Sequence, residues 1–154
     1  MSVTSKLRDI DSVSAGLGSE REQEDVAQLL QRIERLGKHL FGVAICALQL
    51  DEPLCARLGW QCQDEVVRFH AAQVSADTLR ILPDKSSPFQ PPLGRVGQLD
   101  VRFYLAHPVR TKLGEIAGSL LLLHDRPRAF TNGDRELLAD VLALIAHQLR
   151  CVSS

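Results

Sequence analysis

The chain has 154 residues, 45% of them hydrophobic and 24% charged, with a net charge of −1 at neutral pH. That length suits one domain with a proper core, and the charge balance excludes the basic field that nucleic acid or an anionic membrane would require. No apolar run approaches the ~20 residues of a membrane span, and the opening MSVTSKLRDIDSVSAG carries no hydrophobic segment of the signal-peptide kind. The expectation is a cytoplasmic protein with neither nucleic acid nor membrane as a partner.

Residues 1–19 are rich in Ser, Gly and charge and read as a flexible extension. A single domain is expected over 20–150, followed by a tail at 151–154. Ser19 precedes Glu20, Glu22 and Glu24, a suitable N-cap with acids in the first turn. Val26, Leu29, Leu30, Ile33, Leu36 and Leu40 recur at spacings of three and four, which predicts an amphipathic helix over 20–38, with Gly37 near its C-cap. Phe41 to Leu50 predicts a buried strand, and Leu54 to Trp60 a second strand paired with it across Asp51-Glu52-Pro53. Helical spacing returns from Asp64 to Val74, and Thr78 to Leu82 reads as a short strand stopped by Pro83.

Asp84 to Asp100, with Pro88, Pro91, Pro92, Gly94 and Gly97, reads as an irregular loop long enough that it should cover something. Val101–Val109 and Glu115–His124 predict two strands of a hairpin turning at Arg110 to Gly114. A last helix starts at Thr131, where Thr131-Asn-Gly-Asp134 matches a capping box with Asp in place of Glu or Gln. Phe130 and Leu137 flank that cap as a staple-like pair.

Short turns between strands argue an antiparallel sheet, so the fold class is α+β, with five to six strands and helices on both faces. Leu120 to Leu123 shows no polar alternation and must be covered on both sides. The first and last helices can cover one face; the middle helix and the Pro/Gly loop can cover the other. A pocket is therefore expected between the sheet and the segment Asp64 to Gly97.

The blocks LFGVAICALQLDE, RFYLAHPVRTKLGEIAGSLLLLHDRPRAFTNGDRELL and ADVLALIAHQL together resemble the GAF domain, in the short bacterial form found ahead of diguanylate cyclases and histidine kinases. The resemblance spans about residues 20 to 150. It is most specific at Arg102-Phe-Tyr, Pro108-Val-Arg-Thr, Gly114, Gly118-Ser-Leu and Asp125-Arg-Pro-Arg-Ala-Phe. It implies a GAF-like fold and a sensory or regulatory role without catalysis. Of the signature of cyclic-nucleotide-binding members, only Phe130 and Asp134 match. A bilin of the phytochrome type would need a cysteine of the kind often followed by histidine, and none of Cys46, Cys55, Cys62 or Cys151 precedes one.

Free methionine sulfoxide reductases of this family use cysteines in and near the pocket loop, whereas this chain has none from Asp64 to Arg150. A degenerate relative of those enzymes and a ligand-free dimerisation scaffold are the alternatives to a sensor. No Cys or His spacing suits a metal, and any cofactor is left unknown. The cysteines read as free thiols, Cys46 as a small buried hydrophobe, with a redox pairing of Cys55 and Cys62 as the other reading.

The candidate ligand-binding residues are His70 and Arg68 on the middle helix, Arg102 and Tyr104 sharing one strand face by the two-residue period, and Leu121. Each has a plainer reading, His70 as a partly exposed helix histidine and Arg102 as an arginine over the sheet edge. His107 and His124 end strands and should cap backbone groups or meet solvent; His39 and His147 are taken as structural. His124-Asp125 is rejected as an acid–base pair because adjacent strand residues face opposite sides. The last helix carries a core stripe of Leu138, Val141, Leu142, Ile145 and Leu149, leaving Leu137 and Leu144 on a flank as the candidate homodimer interface. An output protein acting in trans completes the expected partners.

Overall fold

The computed structural model describes residues 15–73, 79–82 and 91–150. In chain order the elements are α1 (Ala15–Phe41), β1 (Ile45–Leu50), α2 (Glu52–Leu58), α3 (Asp64–Ala71), β2 (Arg80–Leu82), β3 (Gly94–Val96), β4 (Leu99–Val101), β5 (Phe103–Arg110), β6 (Ile116–His124) and α4 (Asn132–Arg150). The strands divide into a four-stranded antiparallel sheet, β1-β6-β5-β2, and a separate ribbon, β3-β4. The α+β class and the helices on both faces are as expected.

Helix α1 is longer at both ends than its apolar spacing suggests. Ser19 lies inside it rather than capping it. The C-terminal stop is Gly42, at φ 65°, not Gly37. Val43 N–H donates to the Lys38 carbonyl at 3.2 Å, the six-to-one bond of a Schellman end, which needs the left-handed residue that glycine supplies. Gly37 serves packing instead: a Cβ there would lie 2.8 Å from Cys46 Sγ.

The segment expected as a second strand is helix α2. Asp51 is its N-cap, accepting from Leu54 N–H at 3.1 Å; Pro53 sits in the first turn, where its missing donor costs nothing; Gly59, at φ 67°, ends it. The Pro/Gly tract expected to be irregular contains the β3-β4 ribbon, which turns at Gly97-Gln98. The predicted N-terminal extension up to residue 14, residues 74–78 (Val74 and Thr78, where a helix was to end and a strand to begin), the loop from 83 to 90 and the tail at 151–154 lie outside the described residues.

The β5–β6 hairpin and the α4 cap follow expectation. Asp134 N–H donates to Thr131 Oγ1 at 3.1 Å, and Thr131 N–H donates back to Asp134 Oδ2 at 2.9 Å, a closed capping box. Phe130 and Leu137 both pack against the core at this end of α4, and the Arg135 guanidinium lies 5.7 Å from the Phe130 ring centroid.

The four leucines of β6 explain the layering. Leu120 to Leu123 are all fully buried. Leu120 and Leu122 join Leu48, Leu105, Leu30, Val141 and Ile145 in the core beneath α1 and α4. Leu121 and Leu123 join Ala47, Tyr104, Val66, Phe69, Val96 and Val101 in a second core beneath α3 and the ribbon. Burying each leucine fully is worth about 1.5–3 kcal/mol, so the strand can have no wet face.

Strand β1 is an edge of the sheet, and its exposed pairing groups are blocked by side chains. Glu34 of α1 accepts from Leu48 N–H at 2.7 Å, and Trp60 Nε1–H donates to the Leu48 carbonyl at 2.9 Å. Burial pushes the Glu34 carboxyl from its ordinary 4.5 up to about 7, against the smaller opposing pull of the Leu48 N–H. The folded state thus holds the proton more tightly than the unfolded one. Its stabilisation is complete below pH 4.5 and is lost as pH rises to 7. Partial solvation reduces the effect to about 1–2 kcal/mol. Glu34→Gln keeps an acceptor for Leu48, and its unfolding midpoint should exceed that of the parent at pH 8 while matching it at pH 4. A variant equally weakened at both pH values would refute this account.

Candidate functional site

Helix α3 opens with Asp64 and Glu65, favourable at the positive end of the helix, and buries Val66 and Phe69 at a spacing of three against the second core. The Cδ2–Cε2 edge of the Phe69 ring lies against Gly94 of β3, where a Cβ would meet the ring at 2.8 Å. This close approach seats the ribbon on the helix. Between them opens a cleft of about 440 Å³ lined by Glu65, Arg68, Phe69, Ala72, Gln73, Leu93, Gly94, Arg95 and Gly97. Arg95 also pairs with Asp100 across the ribbon at 3.1 Å.

Every lining residue falls within Asp64 to Gly97, but the cleft opens outward, between helix and ribbon. None of its walls comes from β5 or β6. The space directly over the sheet is occupied by side chains: Tyr104, Leu121 and Leu123 are buried to within 1% of completely.

Of the five candidate ligand-binding residues, the structure brings only Arg68 to the cleft wall. His70 turns inward, with Nδ1 2.5 Å from the Tyr104 hydroxyl. Tyr104 in turn meets the Phe69 ring edge-on at 5.5 Å. Leu121 is sealed in the second core. Arg102 sits at a break between β4 and β5, its N–H donating to the His124 carbonyl at 2.8 Å. Val101 and Tyr104 face the same core layer although three positions apart. The two-residue period that placed Arg102 beside Tyr104 is therefore interrupted at Arg102 itself. Glu65, Phe69, Gln73 and Arg95 escaped sequence reasoning because only the ribbon, hidden in a Pro/Gly tract, makes them neighbours.

Burial holds the His70 imidazole below its ordinary 6.5, so it is neutral at pH 7 and its Nδ1 can accept from Tyr104. For a base whose folded pKa is lowered, the unfolded state binds more protons. Stability is then full above pH 6.5 and falls as pH drops below it. His70→Gln should flatten the fall in stability between pH 6.5 and 5. An unchanged slope would mean that another group carries it.

The remaining histidines fall mostly where expected. His107 Nδ1 lies 2.7 Å from the Pro108 carbonyl, and His124 Nδ1 accepts from Ala44 N–H at 3.1 Å. The geometric ground for rejecting His124-Asp125 does not hold, because Asp125 lies in a bend and the two side chains come within 3.6 Å. Yet the nitrogen facing Asp125 is the one that accepts from Ala44, so it carries no proton for an acid–base relay while that bond stands. His39 and His147 lie on exposed positions of α1 and α4.

A residue that sequence reasoning passed over ties the terminal helices together. Arg128 donates to the Phe41 carbonyl at the end of α1, pairs with Asp134 at the start of α4 at 3.0 Å, and lies over the Phe103 ring at 5.9 Å. Phe41 and Phe130 stack beside it, with centroids 6.2 Å apart. Asp134, one of the two matches to the cyclic-nucleotide signature, is thus spent on the local cap and on Arg128.

The described residues thus form an α+β domain with paired terminal helices on one face of the sheet and a short helix and ribbon enclosing a cleft on the other. The GAF domain family model matches residues 25–149, and the chain belongs to that family. A domain of a two-component sensor histidine kinase protein from Sinorhizobium meliloti 1021 is similar in structure, with a TM-score of 0.54 and 12% identity over 80% of this chain and 90% of that one. A far-red cyanobacteriochrome photoreceptor is similar at a TM-score of 0.52 and 13% identity, over the whole of both chains. At these identities the likeness establishes the fold alone. Among curated proteins there is no match. None of the described helices is long and apolar enough to cross a membrane.

Proposed function

We propose that the protein is a non-catalytic, cytoplasmic regulatory module that takes a small molecule in the α3–ribbon cleft. It passes the occupancy of that cleft to α1 and α4, and through them to a second copy or to an output protein in trans. The observation that carries this reading is the position of Phe69. Its ring forms part of the cleft and also packs against Tyr104 in the second core. Across the sheet from Tyr104, the neighbouring residues Phe103 and Leu105 belong to the core of the terminal helices. A ligand that shifts α3 against the ribbon acts on Phe69 first, then on the strand whose opposite face holds α4.

A thermal-shift screen of nucleotides, amino acids and haem tests the proposal, because a ligand that binds only the folded state raises stability by mass action. The expected hit protects the amides of α3 and β3 from hydrogen exchange. Arg68→Ala should weaken it about tenfold while leaving the apo midpoint unchanged. Protection confined to α1 and α4 would defeat the reading. Thioredoxin-coupled turnover of free methionine sulfoxide, lost on a Cys-to-Ser change, would establish an enzyme in its place.

The filled space over the sheet favours a second reading, a scaffold whose interior needs no ligand. The same screen separates the two, since a scaffold yields no hit while still forming the helical interface.

A further inference from the structure

Cys55 lies within α2, and Cys62 lies in the connection from α2 to α3. Gly59, in its left-handed conformation, folds the chain back at the end of α2, and Trp60 N–H then bonds the Cys55 carbonyl at 3.0 Å. This reversal lays Cys62 over Cys55 and brings their sulfurs to 3.9 Å. Both thiols are free and half-buried at the margin of the helix-side core. Trp60, between the two cysteines in sequence, is fixed by the bond from its indole N–H to the Leu48 carbonyl on the β1 edge.

We propose that Cys55 and Cys62 are a dithiol site that is oxidised to an intramolecular disulfide by low-molecular-weight disulfides. Closing the sulfurs to the ~2.0 Å of a disulfide requires side-chain rotation and a small shift of the non-helical connection, and leaves the sheet untouched. The Cys55 thiol donates to the Leu50 carbonyl, and burial, followed by the neighbouring Cys62, pushes it up to about 11. Because the Cys55 proton is held by the Leu50 carbonyl, Cys62 is the thiol that attacks first. Its thiolate displaces one thiolate from the small disulfide and leaves a mixed disulfide on Cys62. Cys55 then gives its proton to solvent and attacks the Cys62 sulfur, expelling the second small thiolate. Two protein thiols are oxidised and one small disulfide is reduced to two thiols. The bond clamps the loop that presents Trp60 to the β1 edge. It lies outside the α3–ribbon cleft and is independent of what that cleft binds.

The full chain, incubated with oxidised and then reduced glutathione, provides the test. Oxidation should remove about 2 Da and protect both cysteines from alkylation. It should also raise the Tm by roughly 5 °C. Trp60 is the only tryptophan in the chain and lies within the loop that the disulfide closes, so its emission should change as the bond forms and return on reduction. Cys62→Ser, outside any helix, should abolish all these changes, whereas Cys46→Ser should retain them. Stable glutathione adducts without a Cys55–Cys62 link, a link to another cysteine, or no reaction would each overturn the proposal. Phenylarsine oxide, which needs two adjacent thiols, should bind one equivalent to the parent and none to Cys62→Ser; equal binding to both would also count against it.

Discussion

Gly118→Val should cost the domain about 3–5 kcal/mol, a large share of the 5–15 kcal/mol that holds a typical domain together. Gly118 pairs with Leu50 where β1 begins to leave the sheet. A Cβ at this position would overlap the Gln49 carbonyl of β1, a main-chain atom that no rotamer change can move aside. To make room, β1 must separate from β6, and Leu48 and Leu50 lose their seats beneath α1 with it. Overpacking usually costs 1–3 kcal/mol; the broken ladder and the partly uncovered core add the rest. Urea unfolding followed through Trp60 measures it, because that indole is bonded to Leu48 of the displaced strand. Gly118→Ala should show most of the loss, and Ser119→Val, one residue along, much less. A fully stable Gly118→Val would mean that β1 can shift freely, and the account of the β1–β6 contact would fall with it.

The second large effect concerns assembly. Among the described residues, Leu29, Leu36 and Leu40 on α1 and Leu144 on α4 are the exposed leucines of the helix pair, with 38–48% of their surface accessible. On α1 the three fall along one stripe, at intervals of seven and four, beside the buried stripe of Val26, Leu30 and Ile33. Light scattering at micromolar concentration should give about twice the 17.0 kDa of one chain. The variant to make is Leu36→Glu with Leu144→Glu. Leu137 was the other flank position named from sequence, but it packs against the core, and a charge there would damage the fold rather than the interface. Two leucines from each copy represent about 6 kcal/mol of apolar burial, or more than four orders of magnitude in Kd. The double variant should therefore run as a folded monomer whose Tm, unlike that of the parent, does not rise with protein concentration. A parent that is monomeric from the start would refute the interface and leave the leucines as ordinary surface.

Several features were legible before any coordinates because their causes are local. The α4 cap needs only Thr131 and Asp134 at the right interval. The β5–β6 hairpin follows from two apolar runs and a short polar turn. Helix α2 was misread because EPLCARL is too short to show a period, and apolar segments of that length suit strand or helix equally. What settles it is the burial of Leu54 and Leu58 in the core that α1 covers. The candidate site was harder. His70 and Tyr104 were singled out as polar groups facing a cavity, and they do face inward, but toward each other.

By itself, the sequence determined the α+β class, the positions of the long helices and of the central hairpin, and the need for cover on both sides of Leu120 to Leu123. These depend on periodicity, caps and apolar runs, which act within a few residues of one another. Only the tertiary structure decided which space was left open. Phe69 reaching Gly94, His70 reaching Tyr104 over 34 positions and Arg128 reaching Phe41 over 87 are contacts between segments that carry no record of one another in the chain. A cleft is what remains after such distant side chains have packed, so its walls are set by the sum of the packing and not by any one stretch of sequence.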